Sequence, residues 1–400
     1  MGARREGLRQ ARKSAGYTQE RMAQACGVER STWARWERGE SDPQPWQRTK
    51  IAHALRLSLS AVDQLLNAST PHAAARTGMT PSPAFPFVPV PANAETPEPL
   101  RGNDIAAIHA TMGQLLALDG QCGGTEASRQ GLRVFRGIQR RIGAAPCPPA
   151  LQRDLYAAVG ELAEIVGWLL YDANDQDGMR AVSHESLMYS GWAGDRSISL
   201  LTHQNLAMHA EWTQRPAEAL MIVDRILSGH TLSPRLESLF RARRSHALAL
   251  QHRPNEARAE LARASSLFLD GARDSDPAWA WWVDQRQWQW FTAMVHHLAG
   301  DKDIPVTAFA HALAITPAGR QRGRYSYTSY LFGALLEARQ WNDAHRLADT
   351  LPALITDVGS GSGRTTEILR RTLKKTLHGD VPVSIHDTAR ELVAAISRTA

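Results

Sequence analysis

The stretch on which the reading turns is Tyr17–Glu40, YTQERMAQACGVERSTWARWERGE. Thr18 is a sound N-cap, because its hydroxyl can accept from a backbone N–H of the first turn. A helix is predicted over Gln19–Cys26, with Met22 and Ala25 or Cys26 on its apolar side. Gly27 stops that helix, since glycine takes the positive φ of a tight turn without steric penalty. Val28 then dips back towards a core before a second helix, predicted from Arg30 to Arg38. Trp33 and Trp36 lie three apart and face that core, which leaves Arg30, Ser31, Ala34 and Arg35 pointing outward. Two helices joined by so tight a turn form a helix-turn-helix, and Ala23 is small where the second crosses the first.

Such an outward face fits the major groove of double-stranded DNA. The fork of an arginine matches guanine O6 and N7, so Arg30 and Arg35 are the candidate base readers, with Ser31 in support. Gln19 and Thr32 sit where helix ends and hydroxyls grip phosphate, and Arg38 and Arg48 add charge contacts. Charge distribution agrees. Residues 1–66 hold 12 Lys/Arg against 7 Asp/Glu, a net of +5, out of +6 for the whole chain of 400 residues. A polyanion therefore meets the N-terminal end, because neutralising phosphates with Lys and Arg supplies the sequence-independent part of nucleic-acid affinity.

Over residues 4–66 the sequence resembles the XRE or Cro-repressor family of phage-repressor type. The resemblance rests on Leu8, Arg12, Gln19, Ala23, Gly27, Val28, Ser31, Trp33, the run Trp36-Glu37-Arg38-Gly39, Ile51-Ala52 with Leu55, and Val62 with Leu65-Leu66. It implies five helices and an ion pair between Arg12 and Glu37. Arg56 departs from the pattern, standing where glycine ends the fourth helix.

Outward from this module the character changes. Between Asn67 and Asp104, eight prolines alternate with Ala, Ser and Thr, so an extended, semi-rigid polyproline spacer is expected. From residue 105 to 400 the apolar spacing is helical throughout and no strand is legible, which makes the chain all-α. A break followed by a helix with alanine near its start recurs at Ala181, Ala219, Ala257, Ala308 and Ala344, spaced 38, 38, 51 and 36. A period in the thirties is that of tetratricopeptide-like helical pairs, which stack into an α-solenoid. One or two leading helices are expected over Ile105–Ile142, and closing helices over Thr365–Leu377 and Ser384–Ser397. The whole layout, with Gly191-Trp192-Ala193-Gly194-Asp195-Arg196 opening a repeat, is similar to regulators common in actinobacteria. That likeness implies a concave face that binds a peptide or partner and mediates dimerisation.

The most unusual stretch is Trp279–Phe291, WAWWVDQRQWQWF. Read as one helix, it puts Trp281, Trp288 and Phe291 on one side and Trp279, Trp282 and Trp290 on another. Repeat packing with a flanking contact explains such a helix. The sharper alternative is an effector groove lined by Trp282, Gln285, Gln289 and nearby Asn205.

Other classes fare worse. Neither G-x-S-x-G nor H-E-x-x-H occurs, and the histidines at 203, 209, 246, 252, 296 and 297 lack metal-ligand spacing with acids, so neither an enzyme nor a metal site is expected. Gly359–Thr365 lacks the P-loop lysine and follows a helix, which reads as a flexible connector. Cys26, Cys122 and Cys147 form no pair and read as reduced packing residues. No apolar run spans a membrane and no signal-peptide pattern opens the chain, so a cytoplasmic protein is expected. The expectation is a dimeric, sequence-specific regulator of transcription. Its domains are residues 1–66, a spacer at 67–104 and a repeat region at 105–400 that mediates dimerisation or senses a peptide, small-molecule or protein effector. The alternative is an interaction scaffold that its DNA-binding module localises.

Overall fold

The computed structural model describes residues 5–39, 43, 45–55, 57, 62, 65–66, 100–271, 273 and 276–399. The expected spacer, apart from its last residues, and Arg56 lie outside the described residues. The chain divides into two compact units, residues 1–84 together with 277–281, and residues 85–276 together with 282–400.

In the first unit α1 (Glu6–Ser14), α2 (Gln19–Cys26), α3 (Arg30–Arg38) and α4 (Pro45–Leu55) surround one apolar core. Thr18 Oγ1 accepts the Arg21 N–H at 3.1 Å and starts α2 as expected. Gly27 ends it at φ 67°, and the Val28 N–H reaches back to the Ala23 carbonyl at 2.9 Å. Trp33 and Trp36 are buried and meet edge to face, their centroids 5.7 Å apart. Leu8, Met22, Ile51, Val62 and Leu66 close around them, and Val62, Leu65 and Leu66 are themselves helical.

The second unit is helical wherever it is regular among the described residues. Its helices are α5 (Gly102–Cys122), α6 (Gly124–Ala144), α7 (Pro149–Ala173), α8 (Gln176–Ala193), α9 (Arg196–Trp212), α10 (Pro216–Gly229), α11 (Pro234–Leu250) and α12 (Pro254–Leu269). There follow α13 (Gln285–Leu298), α14 (Asp303–Ala314), α15 (Gln321–Glu337), α16 (Trp341–Ala348), α17 (Gly363–Leu377) and α18 (Val383–Thr399). Most successive helices pack against each other as pairs. The first of them begins before residue 105, because the Asp104 carboxylate accepts the Arg101 N–H at 2.7 Å and is itself paired with Arg141 at 2.8 Å. The spacer therefore ends short of Asp104.

What repeats is the joint. Asn174, Gly194, Gln214, His252, Gly300 and Arg339 all take a left-handed conformation, with φ between 57° and 91°. In each case the next N–H bonds the carbonyl five residues back: Asp175 to Leu170, Asp195 to Ser190, Arg215 to Ala210, Arg253 to Leu248, Asp301 to His296 and Gln340 to Leu335. This closing bond satisfies the last free carbonyls of one helix and turns the chain into the next. Ala219, Ala257, Ala308 and Ala344 are buried close behind such joints, as small residues must be where helix pairs meet closely. Ala181 is exposed instead, and Met179 holds the buried place, so in the first copy the buried position lies two residues before the alanine.

Two further expectations fail. Trp279–Phe291 is not one helix: Ala278–Trp282 is a 3₁₀ turn, and Asp284 starts α13 by accepting the N–H groups of Arg286 and Gln287 at 2.9 and 3.1 Å. A residue that caps a helix cannot continue one from before. Nor is Gly359–Thr365 a flexible connector. After Leu351–Leu354 and the wide turn Ile355–Gly359, the chain enters a tight joint where the Gly361 carbonyl accepts the Thr125 N–H at 2.9 Å. A Cβ on Gly363 would stand 2.5 Å from the Ala173 carbonyl oxygen, which is why glycine is needed there. By this joint, and by α5 against α15 and α7 against α17, the end of the array meets its beginning.

The seam is polar. Asp172, fully buried, accepts from Ser362 Oγ at 3.0 Å and lies 3.7 and 3.8 Å from Arg322 and Arg364. Arg322 also pairs with Asp119 at 3.2 Å and lies over Trp168, while Arg364 lies over Tyr171. Apolar clusters flank this region on either side, one centred on α7 and one on α15.

Candidate nucleic-acid interface

On α3 the sequence separates two faces. Trp33, Trp36 and Glu37 are buried, whereas Arg30, Ser31, Arg35 and Arg38 are exposed and Thr32 is half-buried. Of the outward set that the helical spacing predicted, Arg30, Ser31 and Arg35 are exposed and Ala34 is half-buried. Ser31 Oγ donates to Glu29 at 3.2 Å, so a carboxylate that the sequence reading passed over borders the face. Arg48 is half-buried on α4, its Nε donating to the Pro43 carbonyl at 3.2 Å. Lys50 was also missed: its ammonium lies 3.0 Å from where a Cβ on Gly27 would stand, which brings a cation beside the α2–α3 turn. Helical spacing on α4 alone gave no sign of that approach.

The orientation of α3 is set by one buried carboxylate. Arg12 Nε donates to Glu37 Oε1 at 2.6 Å, as the resemblance implied. Trp33 Nε1 donates to the same oxygen at 2.9 Å and Gln19 Nε2 to Oε2 at 2.6 Å, while Arg12 Nη1 reaches the Tyr17 carbonyl at 2.7 Å. Burial by itself would raise the Glu37 pKa, but the hydrogen bonds from Arg12, Gln19 and Trp33 outweigh it and hold the carboxyl below its usual value. Gln19, expected to grip phosphate, thus directs one amide N–H inward. The four residues come from α1, α2 and α3, so the network ties the exposed face of α3 to both preceding helices.

The expected effector residues do not assemble in the same way. Asn205 is buried on α9, donating to Glu164 Oε1 at 2.6 Å and accepting from Gln204 at 2.7 Å, and so belongs to the interior rather than to an open groove. Gln285 is exposed as the first residue of α13, and Trp282 and Gln289 are half-buried. The neighbouring rings serve packing: Trp288 stacks on Phe268 at 4.9 Å, and Trp290 and Phe291 flank the buried Arg243 guanidinium at 5.8 and 4.8 Å. Arg243 in turn pairs with Glu211 at 2.7 Å, and His246 bonds the same carboxylate at 2.9 Å. Sequence spacing could not show that a tryptophan-rich segment covers a buried ion pair.

Among the described residues no group of three or more His, Cys, Asp or Glu side chains is placed to hold a metal ion, and no helix is long and apolar enough to cross a membrane. Cys26 and Cys147 are free and buried.

Residues 6–65 match a family model described as a helix-turn-helix domain. No curated protein matches the chain. The chain therefore carries an N-terminal helix-turn-helix domain, which implies DNA binding, followed by an all-helical region of packed helix pairs.

Proposed function

We propose that this protein is a sequence-specific transcriptional regulator of the XRE or Cro-repressor type, working in the cytoplasm without catalysis. A DNA-binding domain of residues 1–66 is joined by a proline-rich spacer to a tetratricopeptide-like region. The observation that carries the reading is the exposed Arg30, Ser31 and Arg35 face on a helix whose back is fixed by Glu37. Arg30 and Arg35 read bases in the major groove, Ser31 supports them, and Gln19, Thr32, Arg38, Arg48 and Lys50 serve the phosphates. Two chains bind as a homodimer to half-sites related by two-fold symmetry. The helical region mediates that pairing or senses a peptide, small-molecule or protein effector. Trp282, Gln285 and Gln289 mark the break before α13 as the place for such a contact, and the burial of Asn205 argues against its direct part in it.

Selection of the full chain on random-sequence duplexes tests this. A sharply enriched palindrome supports a dimeric regulator. Salt-sensitive binding blind to sequence would instead support a scaffold localised by its DNA-binding module. With an enriched site in hand, Arg35→Ala should weaken binding by about 1–3 kcal/mol and relax preference at one position of each half-site. Unchanged affinity and preference would remove Arg35 from the base readers.

A further inference from the structure

The second unit has its own cationic stripe. On α6, Arg129, Arg133, Arg136 and Arg140 are spaced four, three and four apart, so they lie along one face, and all four are exposed. The opposite face is buried through Ala127, Val134, Phe135 and Ile138. The twelve residues from Arg129 to Arg140 carry the stripe over about 16 Å. The one acid at its edge, Glu126, lies 3.6 Å from Arg129 and accepts from Gln130 at 2.7 Å. Among the described residues no hydrogen bond or ion pair engages Arg133, Arg136 or Arg140.

On other helices of the second unit several exposed arginines have a carboxylate one turn away, as Arg263 has Glu260, Arg346 has Asp343, Arg371 has Glu367 and Arg390 has Asp387. Like charges one turn apart destabilise a helix by about 0.2–0.5 kcal/mol a pair, so the stripe repels itself unless a polyanion covers it. Residues 67–400 carry a net charge of only +1, with 34 Lys/Arg against 33 Asp/Glu, so the stripe is a local concentration and not part of a basic surface.

We propose that the α6 stripe binds the phosphate backbone of duplex DNA flanking the site held by the helix-turn-helix. The proposal rests on the DNA-binding reading above. Arginine forks pair bidentately with phosphate, and a strand presents one charge per about 3.4 Å of duplex, so several fall within reach of the stripe. Tethering supplies the affinity that four surface cations lack alone: once the N-terminal domain is bound, α6 meets the flanking duplex at an effective concentration on the order of millimolar.

The test uses the full chain, its selected binding site, and two duplexes, one trimmed to the site and one extended by about 15 base pairs on each side. Wild-type protein should bind the extended duplex more tightly and with the steeper salt dependence. Replacing all four arginines by glutamine should abolish that difference, lowering affinity for the extended duplex about tenfold or more. The slope of log K against log salt should become shallower by up to about 3–4, at roughly 0.9 per phosphate contact. Binding to the trimmed duplex should not change. The four-lysine variant keeps the charge and should retain most of the gain, which guards against a loss caused by misfolding. Equal affinity and slope on both duplexes for wild type and the glutamine variant would overturn the proposal, as would a stripe that engages an acidic protein while leaving DNA binding untouched. If the wild-type chain binds the selected site and the stripe variant binds both duplexes as wild type does, only this inference falls; if selection enriches no site and the chain binds neither duplex, the DNA-binding reading falls with it.

Discussion

Glu37 takes hydrogen bonds from three side chains while almost wholly shielded from water, so its removal leaves Arg12 charged, buried and unpaired. Breaking a buried pair in this way destabilises by about 3–5 kcal/mol. Glu37→Ala should therefore unfold the helix-turn-helix and abolish DNA binding while the helices of the second unit stay protected, a contrast that amide hydrogen exchange reads directly. Because its pKa is depressed in the folded state, the carboxylate stabilises the fold above its ordinary range and that contribution is lost as pH falls through the depressed value. Glu164 works in the opposite sense. Burial, with Glu161 nearby, pushes it up to about 8 against the hydrogen bond from Asn205. The folded protein then holds this proton more tightly than the unfolded chain does, so stability falls as pH rises from the ordinary carboxylate value towards 8. Glu164→Gln should flatten that dependence and raise the melting temperature at pH 8; an unaltered profile would place the proton elsewhere.

At the scale of elements, the joints between helices are where local backbone chemistry is least settled. Gln214, His252 and Arg339 are exposed, yet each adopts the left-handed conformation that costs a non-glycine residue about 1–2 kcal/mol. Gly194 and Gly300 fill the same position without that strain. Changing any of the three to glycine should raise stability by about 0.5–1 kcal/mol after the greater freedom of the unfolded chain is subtracted, measurable by urea denaturation. These joints also explain what the sequence could reveal. Helix existence was plain, as were α2, the Gly27 turn and α3, because cap, turn and periodicity all agree there. The repeat was visible through its alanines but out of register at Ala181, since a repeated backbone turn can be made by Asn, Gln, His, Arg or Gly and so leaves no single letter to follow. The break at Asp284 was hidden for a related reason: six aromatic residues dominate the pattern on both sides of it, and one capping carboxylate decides the local structure. At the DNA face, helical spacing marked Arg30, Ser31 and Arg35, while Glu29 and Lys50 enter through neighbours that only packing brings together.

Across the second unit, the seam at Asp172 joins segments that the repeat pattern treats as opposite ends. An open solenoid would bind each repeat only to its neighbours. Here Asp172 serves Ser362, Arg322 and Arg364 together, and the Gly124 N–H also points to it at 3.3 Å. Asp172→Asn keeps the shape and removes the charge that two buried guanidinium groups share. Hydrogen exchange should then rise in α5, α6, α15 and α17 at once, with a loss of a few kcal/mol. Exchange confined to α7 would mean that the seam contributes little. Gly363→Ala should act on the same seam by steric means, because its added Cβ must displace the Ala173 carbonyl. None of this was legible beforehand: Gly359–Thr365 has the composition of a loose connector, and glycine required by close approach looks the same in a sequence as glycine tolerated for freedom.

The contact between Thr125 and Gly361 spans 236 positions along the chain. Bringing such distant segments together is slow and entropically expensive, and during synthesis it has to wait until the far segment has left the ribosome. The apolar core of the helix-turn-helix is drawn from residues 8–66, and N-terminal domains fold first as they emerge at about 5–20 residues per second. A nascent chain therefore presents a finished DNA-binding face for several seconds or more before the array behind it can shut, and the order of manufacture makes the reader of DNA the elder part of every molecule.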